Sequence, residues 1–210
     1  MASVSTVAVA GSGTTGSIGG FTGEAWVSPG NITLSDNNYA SVDLSNTNTS
    51  SETLIATNFG FNLPSNIVGL NGIVCTFERK ASAADTIRDN HIYLVHNNNI
   101  IGDNKAGAAA FWETTEGDVS FGSPTDMWGI SSYTGDPKSV IESASFGVMI
   151  DAQYYSAYTG TETAYVDKVY ITVYYTTQDF VGKIGVTSLT KIYYGTNQVS
   201  RVYYGSIRVV

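Results

Sequence analysis

The sequence predicts an all-β protein, a two-sheet β-sandwich with a jelly roll as the favoured topology. Short segments of alternating apolar and polar residues, separated by turn residues, run through residues 23–177. No segment keeps a helical period of about 3.6 residues, and 22 glycines further disfavour helices. We expect three parts: an extended or flexible arm over residues 1–22, the β-sandwich over residues 23–177, and a β-ribbon over residues 178–210.

The first half of the sandwich contains four predicted strands. A short strand at residues 25–27 precedes the turn Ser28-Pro29-Gly30-Asn31. Two more strands are predicted for residues 39–44 and 53–59. The fourth, at residues 67–79, contains Gly69 and Gly72, and these glycines predict a turn or a bulge within it.

The second half contains a predicted hairpin and the two strongest strand patterns. Residues 90–95 and 99–101 flank Asn97-Asn98, a pair that favours a tight turn. The strongest alternation lies in residues 146–155 and 165–175. It changes phase once near Val169, which indicates a β-bulge.

Residues 1–22 carry no charge and are rich in glycine, serine, threonine and alanine. Their few apolar residues predict an arm that becomes ordered only against a partner. Residues 11–16 match the G-x-G-x-x-G fingerprint of dinucleotide-binding proteins, but that fingerprint works only where a helix begins within it. Gly19, Gly20, Gly23 and Pro29 disfavour such a helix, so no cofactor is predicted.

The last segment contains a tandem repeat. Lys191-Ile192-Tyr193-Tyr194-Gly195 is followed by Arg201-Val202-Tyr203-Tyr204-Gly205, and each unit predicts a strand, a glycine turn and a second strand. An isolated ribbon is only marginally stable, so we expect it to dock on another surface, with tyrosines at the contact and basic residues at its rim. The predicted interface residues are Tyr193, Tyr194, Tyr203, Tyr204, Lys191, Arg201 and Arg208.

The charge distribution bears on possible partners. Only 13% of residues are charged, and the net charge of −8 argues against nucleic acid. Because residues 180–210 contribute +4, residues 1–179 carry −12, and this asymmetry favours packing of the tail on an acidic surface. No cationic leader and no apolar run of roughly 18 residues occur, so we expect no membrane partner and folding in a cytoplasm.

Few residues suggest chemistry. His91 and His96 lie five apart in a predicted strand, on opposite faces, and so are not expected to share a metal. The single cysteine excludes an internal disulfide, and its alternation with Ile73 and Phe77 predicts that Cys75 is a core residue. No Gly-x-Ser-x-Gly motif is present. A glycosidase needs only two carboxylates, which the sequence does not single out among 18 acids.

Aromatic and charged side chains leave two alternatives open. Of Trp26, Trp112 and Trp128, most are predicted to pack in the core, Trp26 and Trp128 in particular, although exposed aromatic rings would also suit an interface or a sugar. The segment Glu78-Arg79-Lys80, with Asp85, Arg88 and Asp89 nearby, predicts a local cluster of ion pairs, each contributing at most about 1 kcal/mol if exposed.

Both the tail and the body resemble parts of known proteins. The tandem Tyr-Tyr-Gly units resemble a repeat near the ends of many virion and tail proteins of tailed bacteriophages. The body resembles a β-sandwich domain of phage and prophage structural proteins over roughly residues 23–210. The segments that carry this resemblance are Trp26-Val27-Ser28-Pro29, Asn58-Phe59-Gly60-Phe61, Glu78-Arg79-Lys80-Ala81, Asp126-Met127-Trp128-Gly129 and Tyr165-Val166-Asp167.

The resemblance implies a non-enzymatic component of a virion, made in the cytoplasm of a bacterial host. A capsid cement or decoration protein is the first expectation, followed by a head fibre and a tail-associated protein. The expected partners are the major capsid protein or other virion proteins, and a homo-oligomer, first a trimer, is expected. The alternatives are a tail or fibre adhesin with a carbohydrate-binding sandwich and, more remotely, a polysaccharide-degrading enzyme.

Overall fold

The computed structural model describes residues 2–47, 49–107, 111–130, 136–155 and 159–178, together with the paired segments 193–194, 197–198, 203–204 and 207–208. The chain forms two compact units, Met1–Gln178 and Asp179–Val210. The first unit contains β1 (Ala2–Val9), β2 (Ser12–Gly16), β3 (Ala40–Ser45), β4 (Thr53–Thr57), β5 (Ile67–Ala81), β6 (Ile87–His96), β7 (Asn99–Ile101), β8 (Gly117–Ser123), α1 (Pro137–Ile141), β9 (Gly147–Tyr154) and β10 (Thr161–Thr177). Short 3-10 helices span Ile18–Gly20 and Pro29–Ile32. The all-β prediction is confirmed.

The first sheet is antiparallel and is built around β10. Its order is β1-β10-β5-β8, and β3 also pairs with β10. Along β10, β3 pairs with residues 161–166 and β1 with residues 170–177, so two short strands share one edge of a long one. The opposite edge of β10 pairs with β5.

The second antiparallel sheet has the order β2-β4-β9-β6-β7. Asn97 and Asn98 form the turn between β6 and β7, with φ of 51° and 58°. Asparagine tolerates this left-handed conformation, and a turn with two such residues matches the twist of a hairpin. The predicted hairpin is therefore confirmed.

The core lies between the two sheets, which gives the unit a β-sandwich-like architecture. Cys75 of β5, Val169 of β10, Ile92 of β6 and Val148 of β9 are fully buried in one cluster. Burial raises the pKa of the Cys75 thiol well above its ordinary value, so this residue is a packed core side chain, as predicted.

Three register irregularities interrupt the pairing of β5 with β10. One lies where Val166 and Lys168 pair with consecutive residues of β5, which leaves Asp167 as the extra residue. The predicted phase change near Val169 therefore corresponds to a bulge at Asp167. The other two lie on β5, where Asn71 is the extra residue between Gly72 and Leu70 and Val68 is the extra residue between Gly69 and Ile67, within the glycine-containing part where a turn or bulge was predicted.

The prediction of a separate amino-terminal arm is wrong. β1 pairs with β10 over eight residues, β2 pairs with β4, and Ala10 between them is 3% exposed. The polar composition of residues 1–22 did not predict these strands, because backbone pairing holds them and an edge strand needs apolar side chains on one face only. Five of the six G-x-G-x-x-G residues make up the whole of β2, whereas a dinucleotide site needs a helix there.

The second unit contains two antiparallel strand pairs. Tyr193–Tyr194 (β11) pairs with Asn197–Gln198 (β12), and Tyr203–Tyr204 (β13) pairs with Ile207–Arg208 (β14).

Candidate functional site

The predicted interface residues lie in the second unit. Tyr193 and Tyr194 form β11, Tyr203 and Tyr204 form β13, and Arg208 ends β14. Lys191 and Arg201 lie outside the described residues. Backbone pairing places each tyrosine pair opposite a short polar or mixed strand, and docking of this segment on another surface stays a prediction.

The three tryptophans are core residues, as predicted for Trp26 and Trp128. Trp26, Trp112 and Trp128 are 3%, 2% and 0% exposed. Each indole N–H donates a hydrogen bond of 2.9 Å, to Glu52 O, Asp89 Oδ1 and Ile73 O respectively. Buried rings with satisfied N–H groups have no free face for a sugar, so any glycan site in this chain depends on other aromatic residues.

The predicted exposed ion-pair cluster around Glu78-Arg79-Lys80 needs correction. Arg79 and Asp89 form an ion pair, but their side chains are only 3% and 1% exposed. The guanidinium also lies 4.3 Å from the ring centre of Trp112. The sequence pattern identified the charges but not their depth, because the inward-facing positions of β5 and β6 carry them into the sandwich.

A group of carboxylates outside the core forms the candidate site, which we call the carboxylate cluster: Glu78, Glu116 and Asp167. One oxygen from each lies within 4.8 Å of the others. Glu78 is on β5, Glu116 immediately precedes β8, and Asp167 is the bulge residue of β10. The bulge places Asp167 beside Glu78, because two residues of β10 then oppose one residue of β5.

The loop before β3 supplies further contacts to the carboxylate cluster. Asn37 N–H donates to Asp167 Oδ2 at 3.0 Å, and Ser35 Oγ donates to Glu78 Oε1 at 3.1 Å. Asn37 has a φ of 63°, a left-handed conformation that asparagine tolerates better than most residues. The Tyr39 hydroxyl bonds to Glu116. The loop thus connects to all three carboxylates.

Tyr39 and Lys80 sit at the margin of the carboxylate cluster. Lys80 Nζ lies 3.4 Å from Glu116 Oε2 and donates to the Tyr39 hydroxyl at 2.8 Å. Burial, followed by its hydrogen bond to Glu116, raises the pKa of Tyr39. The hydrogen bond to Tyr39 is the main cause that raises the pKa of Lys80. Both groups therefore keep their protons at neutral pH.

The chemistry available to the carboxylate cluster follows from its burial. Asp167 is 0% exposed, so a sugar or another large substrate does not reach its carboxylate. A glycosidase requires both of its carboxylates to contact the substrate. Among the described residues, this is the group of histidine, cysteine or acidic side chains with the spacing of metal ligands. The sequence contains one signal for the carboxylate cluster: the acidic residue Asp167 lies at the phase change of β10.

A second polar group lies on the outer face of the second sheet. His91 Nδ1 lies 3.0 Å from Asp151 Oδ1, and the ring of Phe21 stacks on His91 with a centroid distance of 4.0 Å. Burial raises the pKa of Asp151, although hydrogen bonds from Asn90 and His91 oppose the change. This pair packs beside the small cluster of Ile18, Ile55, Val95 and Met149.

The edge strand β1 of the first sheet is uncharged and carries exposed valines. β1 is a terminal strand of its sheet within the described residues, and residues 2–16 contain no charged side chain. Val7 and Val9 on β1 are 59% and 39% exposed. Soluble proteins normally protect such an edge with charges, proline or a covering segment. We call this surface, formed by β1 with Val7 and Val9, the β1 edge.

Similarity to known proteins does not narrow the function. No family model matches the chain, and no curated protein is significantly similar to it in sequence. None of the helices in the described part of the chain is long and apolar enough to cross a lipid bilayer.

Proposed function

We propose that this chain is a non-enzymatic structural protein of a bacteriophage particle, foremost a capsid cement or decoration protein. It stabilises the shell through contacts with the major capsid protein and with copies of itself, first as a trimer. The observation that carries the proposal is the β1 edge, an uncharged terminal strand with exposed valines. Such a strand is a template for pairing with another chain.

The strand order supports a jelly roll as the finer fold within this proposal. If β1 and β2 are set aside, the remaining strands of the first unit take the orders β3-β10-β5-β8 and β4-β9-β6-β7. Apart from the β6–β7 hairpin, which stays in one sheet, the chain then alternates between the sheets as expected for two interlocked Greek keys. Jelly rolls are frequent in viral capsid proteins and in lectins, which is consistent with both functions considered for the chain.

The charge of the chain supports an outward position on the shell. Residues 1–179 carry −12, which would be repelled by packaged DNA, whereas residues 180–210 carry +4 and suit an acidic surface. The low fraction of charged residues, 13%, also reduces the number of charges desolvated on association. The protein thus acts through buried interface area within the virion.

Binding to shells tests the proposal. Purified protein is mixed with empty shells of the phage that encodes it, and bound protein is measured by co-sedimentation and located by particle reconstruction. We expect saturable binding at regular positions. Protein that stays in the supernatant at micromolar concentration, and that is absent from mature heads, would contradict the proposal.

The β1 edge gives a sharper test of self-association. Val7→Lys places a charge on the edge and should shift the oligomer toward the monomer in light scattering, with an unchanged circular dichroism spectrum. Val68→Lys is the matched control, because Val68 is 51% exposed on another strand. Equal effects of the two substitutions would show that the β1 edge has no special role.

The second candidate function is a glycan-binding adhesin, and one observation favours it. Tyr155 is 54% exposed, and the Arg88 guanidinium lies 4.1 Å from its ring centre. An exposed aromatic ring beside a hydrogen-bond donor is a common sugar platform. Binding on a glycan array that Tyr155→Ala abolishes, without binding to shells, would favour the adhesin over the decoration protein.

A further inference from the structure

The strongest unexplained feature of the first unit is the buried carboxylate of Asp167. Its side chain is fully buried, Oδ2 accepts a hydrogen bond from Asn37 N–H, and Oδ1 has no hydrogen-bond partner. An ionised carboxylate oxygen that is removed from water and left without a partner is costly. Because this oxygen is buried beside two further carboxylates, it points to a positively charged ligand.

A neighbouring carboxylate also has a buried oxygen without a hydrogen-bond partner. Glu78 Oε2 is also buried without a hydrogen-bond partner, while Glu78 Oε1 accepts from Ser35. One oxygen each of Glu78, Glu116 and Asp167 lies within 4.8 Å of the others, so three negative charges repel one another. Lys80 offsets the charge of Glu116 at 3.4 Å. Two negative charges then remain, which one divalent cation would neutralise.

We propose that Glu78, Glu116 and Asp167 form a calcium-binding site on the outer face of the first sheet. Calcium binds oxygen ligands at about 2.3–2.6 Å, so two ligands of one ion can be up to about 5 Å apart. The carboxylate cluster lies within this limit. It contains oxygen donors only, which disfavours zinc and copper. Magnesium demands a near-ideal octahedron, whereas calcium accepts an irregular set drawn from separate segments.

The bound ion would connect parts of the chain that are distant in sequence. Glu78 lies on β5, Asp167 on the bulge of β10, and Glu116 before β8. Asn37 and Ser35 attach the preceding loop to the same carboxylates. Calcium would therefore hold this loop and three strands together. The site is independent of the proposed role in a virion, since it requires no partner chain.

Terbium luminescence tests the site directly. Tb³⁺ replaces Ca²⁺ in many oxygen sites, and excitation of a nearby tyrosine sensitises Tb³⁺ emission. Tyr39 is such a tyrosine, because its hydroxyl bonds to Glu116. We expect saturable emission from the chelator-treated protein that CaCl₂ reverses and MgCl₂ reverses at least 10-fold less well. Absence of saturable emission up to millimolar TbCl₃ overturns the proposal, as does emission that CaCl₂ does not displace.

Substitutions separate the carboxylate cluster from other acidic surfaces. Asp167→Asn should reduce Tb³⁺ and Ca²⁺ affinity at least 10-fold, and Glu116→Gln serves as a second variant because its side chain is 19% exposed and should not disturb folding. Asp118→Asn is the matched control. Asp118 lies on the same sheet and accepts a hydrogen bond from Tyr170 at 2.8 Å, but is not part of the carboxylate cluster. Equal loss of affinity in Asp118→Asn would overturn the assignment.

In thermal unfolding, the effect of Asp167→Asn on Tm should depend on whether calcium is present. In excess EDTA, Asp167→Asn should be at least as stable as the unchanged chain, because the substitution removes one of three repelling charges. In 10 mM CaCl₂ the unchanged chain should gain about 5 °C in Tm, and Asp167→Asn should gain nothing. An equal calcium response of both proteins would contradict the assignment of Asp167 as a ligand.

Discussion

Arg79 of β5 and Asp89 of β6 form an ion pair that joins the two sheets through the interior of the sandwich. Arg79 Nη2 donates to Asp89 Oδ2 at 3.0 Å, Nη1 bonds to Oδ1, and Trp112 Nε1 donates to Oδ1 at 2.9 Å. Asp89 is therefore held by three hydrogen bonds, and Arg79 by two hydrogen bonds and by the face of the Trp112 ring.

Removal of one member of this pair should be strongly destabilising. Asp89→Ala leaves the Arg79 guanidinium buried without a counter-charge, and a loss of about 3–5 kcal/mol in the free energy of unfolding is expected. Urea unfolding measures this loss of free energy. The double substitution Arg79→Met with Asp89→Leu should cost less than Asp89→Ala alone, because no buried charge remains. Lys105→Gln, which breaks a partly exposed pair with Asp126, should cost less than about 1 kcal/mol. A similar small loss for Asp89→Ala would contradict the account.

Deletion of β1 should destabilise the first unit. Its eight residues pair with residues 170–177 of β10, and removal exposes that edge and uncovers the core beside Ala8 and Ala10. We expect Tm to fall by about 10 °C or more. Removal of residues 183–210 is the control and should leave the transition of the first unit unchanged. If the two truncations have equal effects on Tm, pairing of β1 contributes little to stability.

Acidification should remove a stabilising contribution of Glu142. Its Oε2 accepts a hydrogen bond from Lys138 at 3.0 Å and Oε1 accepts one from Leu63 N–H at 2.6 Å; the Lys138 bond is the main cause that lowers its pKa. The lowered pKa means that this stabilisation is complete above the unfolded-state pKa of about 4.3 and is lost as pH falls through the folded-state pKa.

The substitution Glu142→Gln should therefore cost roughly 1 kcal/mol at pH 7 and almost nothing near pH 2. Urea unfolding across this pH range provides the measurement. Glu113→Gln, at an exposed position, is the control and should not change the pH profile. A cost for Glu142→Gln that is constant with pH would show that the contact does not depend on charge.

The tail tyrosines should contribute more to docking than the basic residues around them. Replacing Tyr193 and Tyr203 with alanine is expected to weaken attachment to the shell far more than replacing Lys191 and Arg201 with glutamine. The charge substitutions should mainly reduce the salt dependence of binding. Co-sedimentation at several salt concentrations distinguishes these effects. Unchanged affinity and salt dependence after removal of residues 183–210 would make the tail a passive extension.

The sequence predicted those strands whose alternation reflects a buried face. β6, β9 and the turn at Asn97 were found from this pattern; β6 contacts the core with one face, whereas β9 is buried on both faces. β1 was not predicted, because it is held by backbone hydrogen bonds to β10, and these do not require a particular amino-acid composition. β8 was missed for a similar reason, with exposed or half-buried positions throughout.

The candidate site was less predictable than the fold. Glu78, Glu116 and Asp167 come from distant parts of the chain and meet only after β5, β8 and β10 have paired. The local pattern around Glu78 and Arg79 identified charged residues but not the face of the sheet to which each side chain points. Adjacent residues of a strand face opposite sides, so Arg79 enters the core while Glu78 joins the carboxylate cluster on the outer face.

The pairing of Ala2 with Thr177 places the two ends of the first unit side by side. A domain with adjacent ends can be inserted into a loop of another protein without stretching its host, and its ends can be joined and reopened elsewhere by circular permutation. A permuted unit with residue 178 linked to residue 2 and a new opening at the Asn97-Asn98 turn should keep its circular dichroism spectrum. Both ends of the first unit thus lie at the Thr177 end of the β1–β10 pair.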